Sequence, residues 1–313
     1  MSFTSLLTTI ATLFLMMVVG FICGKLRIID ETSSKNLSGL IVKAGQPFLV
    51  ISSLITLEYS FDNLKTGGII FTLGIGVHIL LAFFSFLFAF PLRKNLNSGK
   101  LAEFAMVFTN CGFIGFPILK SIFGDIGLFY GAFYVVSFFL FTWTWGIIIL
   151  ARGRSDIRLT LKKALVNYGT IPCLIGLILF VQPFPLPDAF KELSAYIGGL
   201  CTPISVLITG ANLSRRNLLK MVKNPRIYYV NLIRLIVRPL LITTILWLLR
   251  LPDYLVVFSC VMVAMPSAAN ITMFGELYDI EPGTAAEFVG STSILCTATL
   301  LPIISYANWL ISL

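Results

Sequence analysis

The sequence predicts an all-α polytopic membrane protein, and three observations carry that prediction. Apolar residues make up 57% of the 313-residue chain and charged residues only 12%, where soluble domains run near a quarter charged. The apolar residues gather in runs of roughly 20, the length that crosses a bilayer as a helix. The basic residues concentrate in alternate gaps between those runs. A soluble fold could not cover this much apolar surface, 27 Phe included, because exposed patches are limited to a few hundred Å².

Ten candidate spans follow along the chain, at about 5–24, 36–57, 67–91, 101–119, 127–150, 164–182, 193–213, 227–249, 254–275 and 284–308. No basic segment precedes Leu6–Val19, so the first run is expected to be a retained span rather than a cleaved signal. The 1–2, 3–4, 5–6 and 7–8 loops carry 3, 3, 5 and 5 Lys/Arg, ending in the Arg215–Arg216–Lys220–Lys223–Arg226 cluster. The intervening loops carry one each, Lys65, Lys120, Lys191 and Arg250. Basic loops stay cytoplasmic, so both termini are expected outside. The 9–10 loop has only Glu276, Asp279 and Glu281, and acidic residues count little in this rule.

Charge and cysteine content exclude other classes. A net charge of +9 in a soluble chain would suggest nucleic acid, but here the bases sit in short loops between spans, and no nucleic-acid partner is expected. The six Cys are scattered without metal-ligand spacing and read as small apolar residues. No cofactor or metal is implied. An intramembrane enzyme would need a nucleophile–base pair or paired acids at depth, and the spans offer one His, His78, and no such pair. No nucleotide-binding loop is present. A channel, or the membrane subunit of a larger complex, stays open beside a carrier.

The chain divides in the basic stretch 152–163, leaving a five-span repeat on each side, residues 1–151 and 164–313. Five is odd, so related halves must be inverted, an arrangement typical of secondary transporters. An offset near 156 residues aligns Pro47 with Pro203 and Asn110 with Pro266. In each half the fourth span is interrupted. Span 4 reads Thr109–Asn110–Cys111–Gly112–Phe113–Ile114–Gly115–Phe116–Pro117, and span 9 reads Met265–Pro266–Ser267–Ala268–Ala269–Asn270. Gly and Pro weaken a helix through backbone entropy and a missing donor. A single break of this kind reads as a kink. A matched pair reads as a midplane binding site, because unwound backbone at that depth needs a protein or water lining. Half-helix N-termini offer free N–H groups and partial positive charge, which suits a carboxylate. Asn110 and Asn270 are placed to bridge freed backbone or to bond the substrate.

Charges inside spans default to a functional hypothesis. Lys43 and Arg234 lie near cytoplasmic ends and could snorkel, whereas Arg238, followed by Pro239, is deeper. Arg238, Lys43 and Glu287 are the candidates for a charge or coupling role, with Glu287 and Glu103 as candidate partners. His78, among Gly and aliphatic residues, reads as a packing residue.

The motif Asn110-x-Gly112-Phe113-x-Gly115-x-Pro117 resembles the auxin efflux carrier family, which includes bacterial malonate/malate-type carriers. Met265–Pro266–Ser267–Ala268 with Tyr278, Pro203…Gly210-x-Asn212-Leu213 and Pro302 extend the resemblance over essentially the whole chain. It implies a fold like that of the bile acid/sodium symporters, with crossed, broken helices 4 and 9. In such folds spans 1, 2, 6 and 7 form a scaffold, often dimeric, and spans 3–5 and 8–10 a transport domain. Asn110, Gly112, Pro117, Pro266, Ser267 and Asn270 would then belong to the crossover, and Gln46, Pro47 and Asn212 to the scaffold side of a substrate site. The expected function is transport of a small organic anion by alternating access, in a bacterial inner membrane, with proton coupling, sodium coupling or neither left open. The 5–6 loop is only about a dozen residues, unlike the long hydrophilic loop of many plant members.

Overall fold

The computed structural model describes residues 3–93, 96–154, 166–278 and 280–313. Among these the regular elements are helical, joined by one isolated antiparallel bridge, Thr109 to Ser267. In chain order they are α1 (Phe3–Lys25), α2 (Glu31–Leu54), α3 (Phe61–Phe88), α4 (Leu96–Val107), α5 (Gly115–Phe123), α6 (Asp125–Ala151) and α7 (Thr170–Val181). Then follow α8 (Asp188–Ser214), α9 (Leu218–Lys223), α10 (Pro225–Leu248), α11 (Asp253–Ala264), α12 (Asn270–Leu277) and α13 (Pro282–Ile311). Seven of them, α1, α2, α3, α6, α8, α10 and α13, are long and apolar enough to cross a membrane. The chain is an integral, multi-pass membrane protein.

The other predicted spans take shorter forms. Span 4 is divided between α4 and α5, and span 9 between α11 and α12. α11 stops at Ala264, two residues before Pro266, which has no N–H to continue the helix, whereas α4 stops at Val107, ahead of Gly112. Span 6 appears as the 12-residue α7. The predicted linker 152–163 lies, from residue 155 onward, outside the described residues, as do the first residues of predicted span 6.

Short polar side chains set the helix starts. The Asp30 carboxylate accepts the Ser33 N–H at 2.7 Å to open α2, and that bond holds its carboxyl below the usual range. Ser60 accepts from the Asn63 N–H at 3.1 Å to open α3, and Asn224 from Arg226 at 3.1 Å to open α10. Each cap satisfies a donor the helix itself leaves orphaned. Within the apolar runs Thr8, Thr12, Thr72 and Thr244 donate to the carbonyl four residues back, so their hydroxyls are paired without water.

Two packing features position the interior. Helices α1 and α8 lie in close backbone contact, because a Cβ on Gly210 would meet the Met17 carbonyl and the Phe21 nitrogen, and one on Gly20 the Leu207 backbone. Small residues of this kind let membrane helices approach closely where no hydrophobic effect drives them together. On the other side, α4, α6 and α11 enclose a buried aromatic core of Phe104, Phe108, Phe129, Tyr134 and Phe258. Its rim is held by Glu103, buried in the second half of α4, which takes a two-pronged bond from Arg152 and a second cation, Arg93, at 3.5 Å. The outer faces keep Leu15, Phe83, Ile178 and Tyr196 exposed, as lipid-facing surfaces do.

Candidate substrate site

The two interrupted segments meet inside the protein. The Asn110 N–H donates to the Pro266 carbonyl at 2.7 Å, and the Ala268 N–H to the Phe108 carbonyl at 3.0 Å. Each break thus supplies the hydrogen-bond partners that the other lost by leaving its helix, as unwound backbone at membrane depth requires.

The second break is further secured by side chains. The Ser267 N–H donates to the Thr292 hydroxyl at 3.1 Å, and the Ser267 hydroxyl to the Ala105 carbonyl at 3.0 Å. Arg234, 0% exposed, donates to the carbonyls of Val263 at 2.9 Å and Pro266 at 3.0 Å, and also to that of Met265. These are carbonyls the end of α11 leaves without intrahelical donors, and a cation there also suits the helix dipole. The expectation that Arg234 snorkels to the cytoplasmic surface is therefore corrected. It faces inward because three carbonyls need it there.

The first break is more open. Its Gly115 and Phe116 N–H groups turn back onto the carbonyls of Asn110 and Gly112 at 3.0 and 3.2 Å. Its Gly112 and Phe113 N–H groups find no backbone acceptor among the described residues, nor do those of Ala269 and Asn270 at the far end of the second break. The Asn110 side chain is 4% exposed, and its amide nitrogen has no hydrogen-bond partner.

These groups surround a cavity of about 380 Å³. Gln46, Leu49 and Val50 of α2 form one wall, Val135, Phe138 and Phe139 of α6 another, and the backbones of Thr109–Phe113 and Ala268–Asn270 the end. The Gln46 amide reaches the Tyr168 carbonyl at a long 3.5 Å. A second, mostly apolar cavity of about 440 Å³ lies against α1, α5, α8 and α13, with Val206, Pro266, Ser293, Cys296 and Thr297 in its wall.

Of the residues the sequence singled out, Gln46, Asn110, Gly112 and Asn270 come together at the first cavity. Pro266 lies in the wall of the second, and Ser267 is buried in the bridge between the breaks. Pro117 sits in the first turn of α5 and does not line the first cavity. Asn212 is elsewhere, near the end of α8, where its side-chain oxygen accepts from Arg215. Lys43 is exposed, in a π turn of α2. Glu287 lies in electrostatic reach of Arg216. Arg238 is 0% exposed and pairs with neither Glu103 nor Glu287. Sequence reasoning missed Thr202, which donates to the Phe113 carbonyl at 2.6 Å and ties α8 to the first break. Its signal was its place beside Pro203 inside an apolar run.

A helical membrane protein whose unwound segments wall an interior cavity holding a few polar groups has the build of a transporter, and comparison with known proteins gives that class. Residues 5–159 and again 154–304 match the family described as membrane transport protein. The chain belongs to this family, that of the auxin efflux carriers, and carries its unit twice. It is 24% identical over 303 residues to an uncharacterized transporter of Methanothermobacter thermautotrophicus, covering 96% of both chains. It is also 24% identical over 309 residues to an uncharacterized transporter of Methanocaldococcus jannaschii, covering 95% of this chain and 96% of that one.

Proposed function

We propose that this transporter carries a small organic anion, bound through its carboxylate in the cavity beside Asn110. The observation that carries the reading is the buried, unpartnered Asn110 amide, set among backbone N–H groups that lack backbone acceptors. An unpaired buried donor costs about 1–3 kcal/mol, a cost a carboxylate oxygen removes. The α12 N-terminus at Asn270 adds partial positive charge at the same wall. The phenyl rings of Phe138 and Phe139 suit the apolar body of such a substrate.

The same reading takes the breaks as two crossed half-helix pairs within ten spans, in inverted halves 1–151 and 164–313. Spans 3–5 and 8–10 would move against a scaffold of spans 1, 2, 6 and 7, exposing the site to each side in turn. The pair of cavities supports this. Val50 and Asn110 wall the first and their repeat counterparts Val206 and Pro266 the second, at the offset near 156 residues. Both cavities take residues from the two halves, as sites at a repeat interface do. The close α1–α8 seam suits a rigid scaffold.

The test is uptake of radiolabelled dicarboxylates and indole-type monocarboxylates into proteoliposomes under imposed proton, sodium and potential gradients. Saturable uptake of one of them supports the proposal. Flux that grows linearly with concentration points to a channel, and absence of flux under every gradient removes the organic-anion reading.

A further inference from the structure

Four residues beyond Arg234, the side chain of Arg238 enters the interior enclosed by α3, α6, α10 and α11. It is fully buried, and Nε, Nη1 and Nη2 are all without a hydrogen-bond partner. Beside it lie Tyr134 of α6, whose hydroxyl is buried and unpartnered, and His78 of α3, whose Nε2 is likewise unpartnered. The His78 and Tyr134 rings are 5.2 Å apart, and both stand within electrostatic reach of Arg238. Phe138, Phe141 and Phe258 close the cluster off with apolar rings.

The charge balance of this interior is one-sided. Arg234 and Arg238 repel one another at a spacing of four residues. Arg234 spends its donors on neutral carbonyls. Among the described residues no carboxylate stands in reach of either guanidinium, and Glu103 is already held by Arg152 and Arg93. Water could meet the hydrogen-bond demand of Arg238 but not its charge, and an uncompensated buried ion costs several kcal/mol. His78 cannot supply the missing charge either. Its Nδ1 lies 2.7 Å from the Gly74 carbonyl, an acceptor only, so Nδ1 carries the hydrogen and the neutral ring offers one lone pair at Nε2. Five guanidinium hydrogens outnumber that single acceptor.

We propose that Arg238 and Tyr134 form a second anion site, distinct from the cavity at Asn110, which holds a small inorganic anion of the halide type, chloride in a cell. A small anion suits the setting, because the donors left without partners are a guanidinium on α10 and a phenol on α6, with aromatic rings packed beside the phenol and His78. The bound anion offsets one of the two arginine charges, relieves their repulsion, and so supports Arg234 where it secures the second break.

The site is tested on the purified full chain with gluconate, too bulky for this interior, as the starting anion. Sodium chloride or bromide replaces sodium gluconate at constant ionic strength while the melting midpoint is followed. The proposal expects a saturable rise with either halide, lost in Arg238→Gln. It also expects Tyr134→Phe to need about tenfold more halide for the same rise, from the loss of one hydrogen bond to a charged group. A wild-type midpoint indifferent to halide overturns the site, as does a halide response unchanged in Tyr134→Phe. Should Arg238→Gln fail to fold, the wild-type and Tyr134→Phe titrations still decide. The readout is halide binding alone, so it stands or falls apart from the identity of the carried organic anion.

Discussion

The two breaks share a sequence signature but differ in how their polar groups are spent. At Pro266 the groups are mostly paired, with only the Ala269 and Asn270 N–H groups at its far end lacking backbone acceptors: Arg234 caps three carbonyls, Thr292 takes the Ser267 N–H, and the Ser267 hydroxyl reaches Ala105. At Asn110 the side-chain amide is buried and unspent, beside N–H groups without backbone acceptors. A fully satisfied network rigidifies, and an unsatisfied buried donor stores a cost that a ligand can relieve. The comparison assigns architecture to the second break and chemistry to the first.

Substitutions can break or sharpen that division, and the largest effect is expected at Arg234. Arg234→Met leaves the carbonyls of Val263, Met265 and Pro266 without their donor, at about 1–3 kcal/mol for each acceptor orphaned. Monodisperse yield and melting temperature in detergent should both fall sharply, whatever the substrate. Next, Thr292→Val orphans the buried Ser267 N–H and should cost about 1–3 kcal/mol. A melting curve reads it, with transport per folded molecule little changed. A smaller loss, about 1 kcal/mol, is expected for Thr202→Val, which cuts the link from α8 to the Phe113 carbonyl. Because that carbonyl belongs to the first break, KM for transport should rise a few-fold as well. A Thr292→Val protein that melts normally but does not transport would reverse the roles of the two breaks.

The pattern of long apolar runs is legible in the sequence because lipid imposes it residue by residue, and both breaks are legible because Gly and Pro act locally. Gln46, Asn110, Gly112 and Asn270 carry the same local mark, polar or flexible positions inside apolar runs, and the structure gathers them at one cavity. Asn212 carries that mark too, yet its amide is taken up by Arg215. Spacing along a helix does not say which neighbour a side chain meets. Arg234 illustrates the same limit more sharply. Near a basic loop it reads as a snorkelling side chain, and its actual partners lie 29 to 32 residues away in sequence. Thr202 has a local mark in the Pro203 that follows it, but its partner, a carbonyl 89 residues earlier, is hidden for the same reason.

Two asparagines therefore give the most direct test, one amide unspent at the cavity and one already paired outside it. Saturable carboxylate flux in proteoliposomes is measured for wild type, Asn110→Ala and Asn212→Ala, each with its melting temperature. Asn110→Ala should lose flux by about tenfold or more, the worth of one hydrogen bond to a charged group, while still melting as a folded protein. Asn212→Ala should transport within about twofold of wild type. Flux that survives Asn110→Ala but collapses in a folded Asn212→Ala would contradict the account and move the substrate to α8.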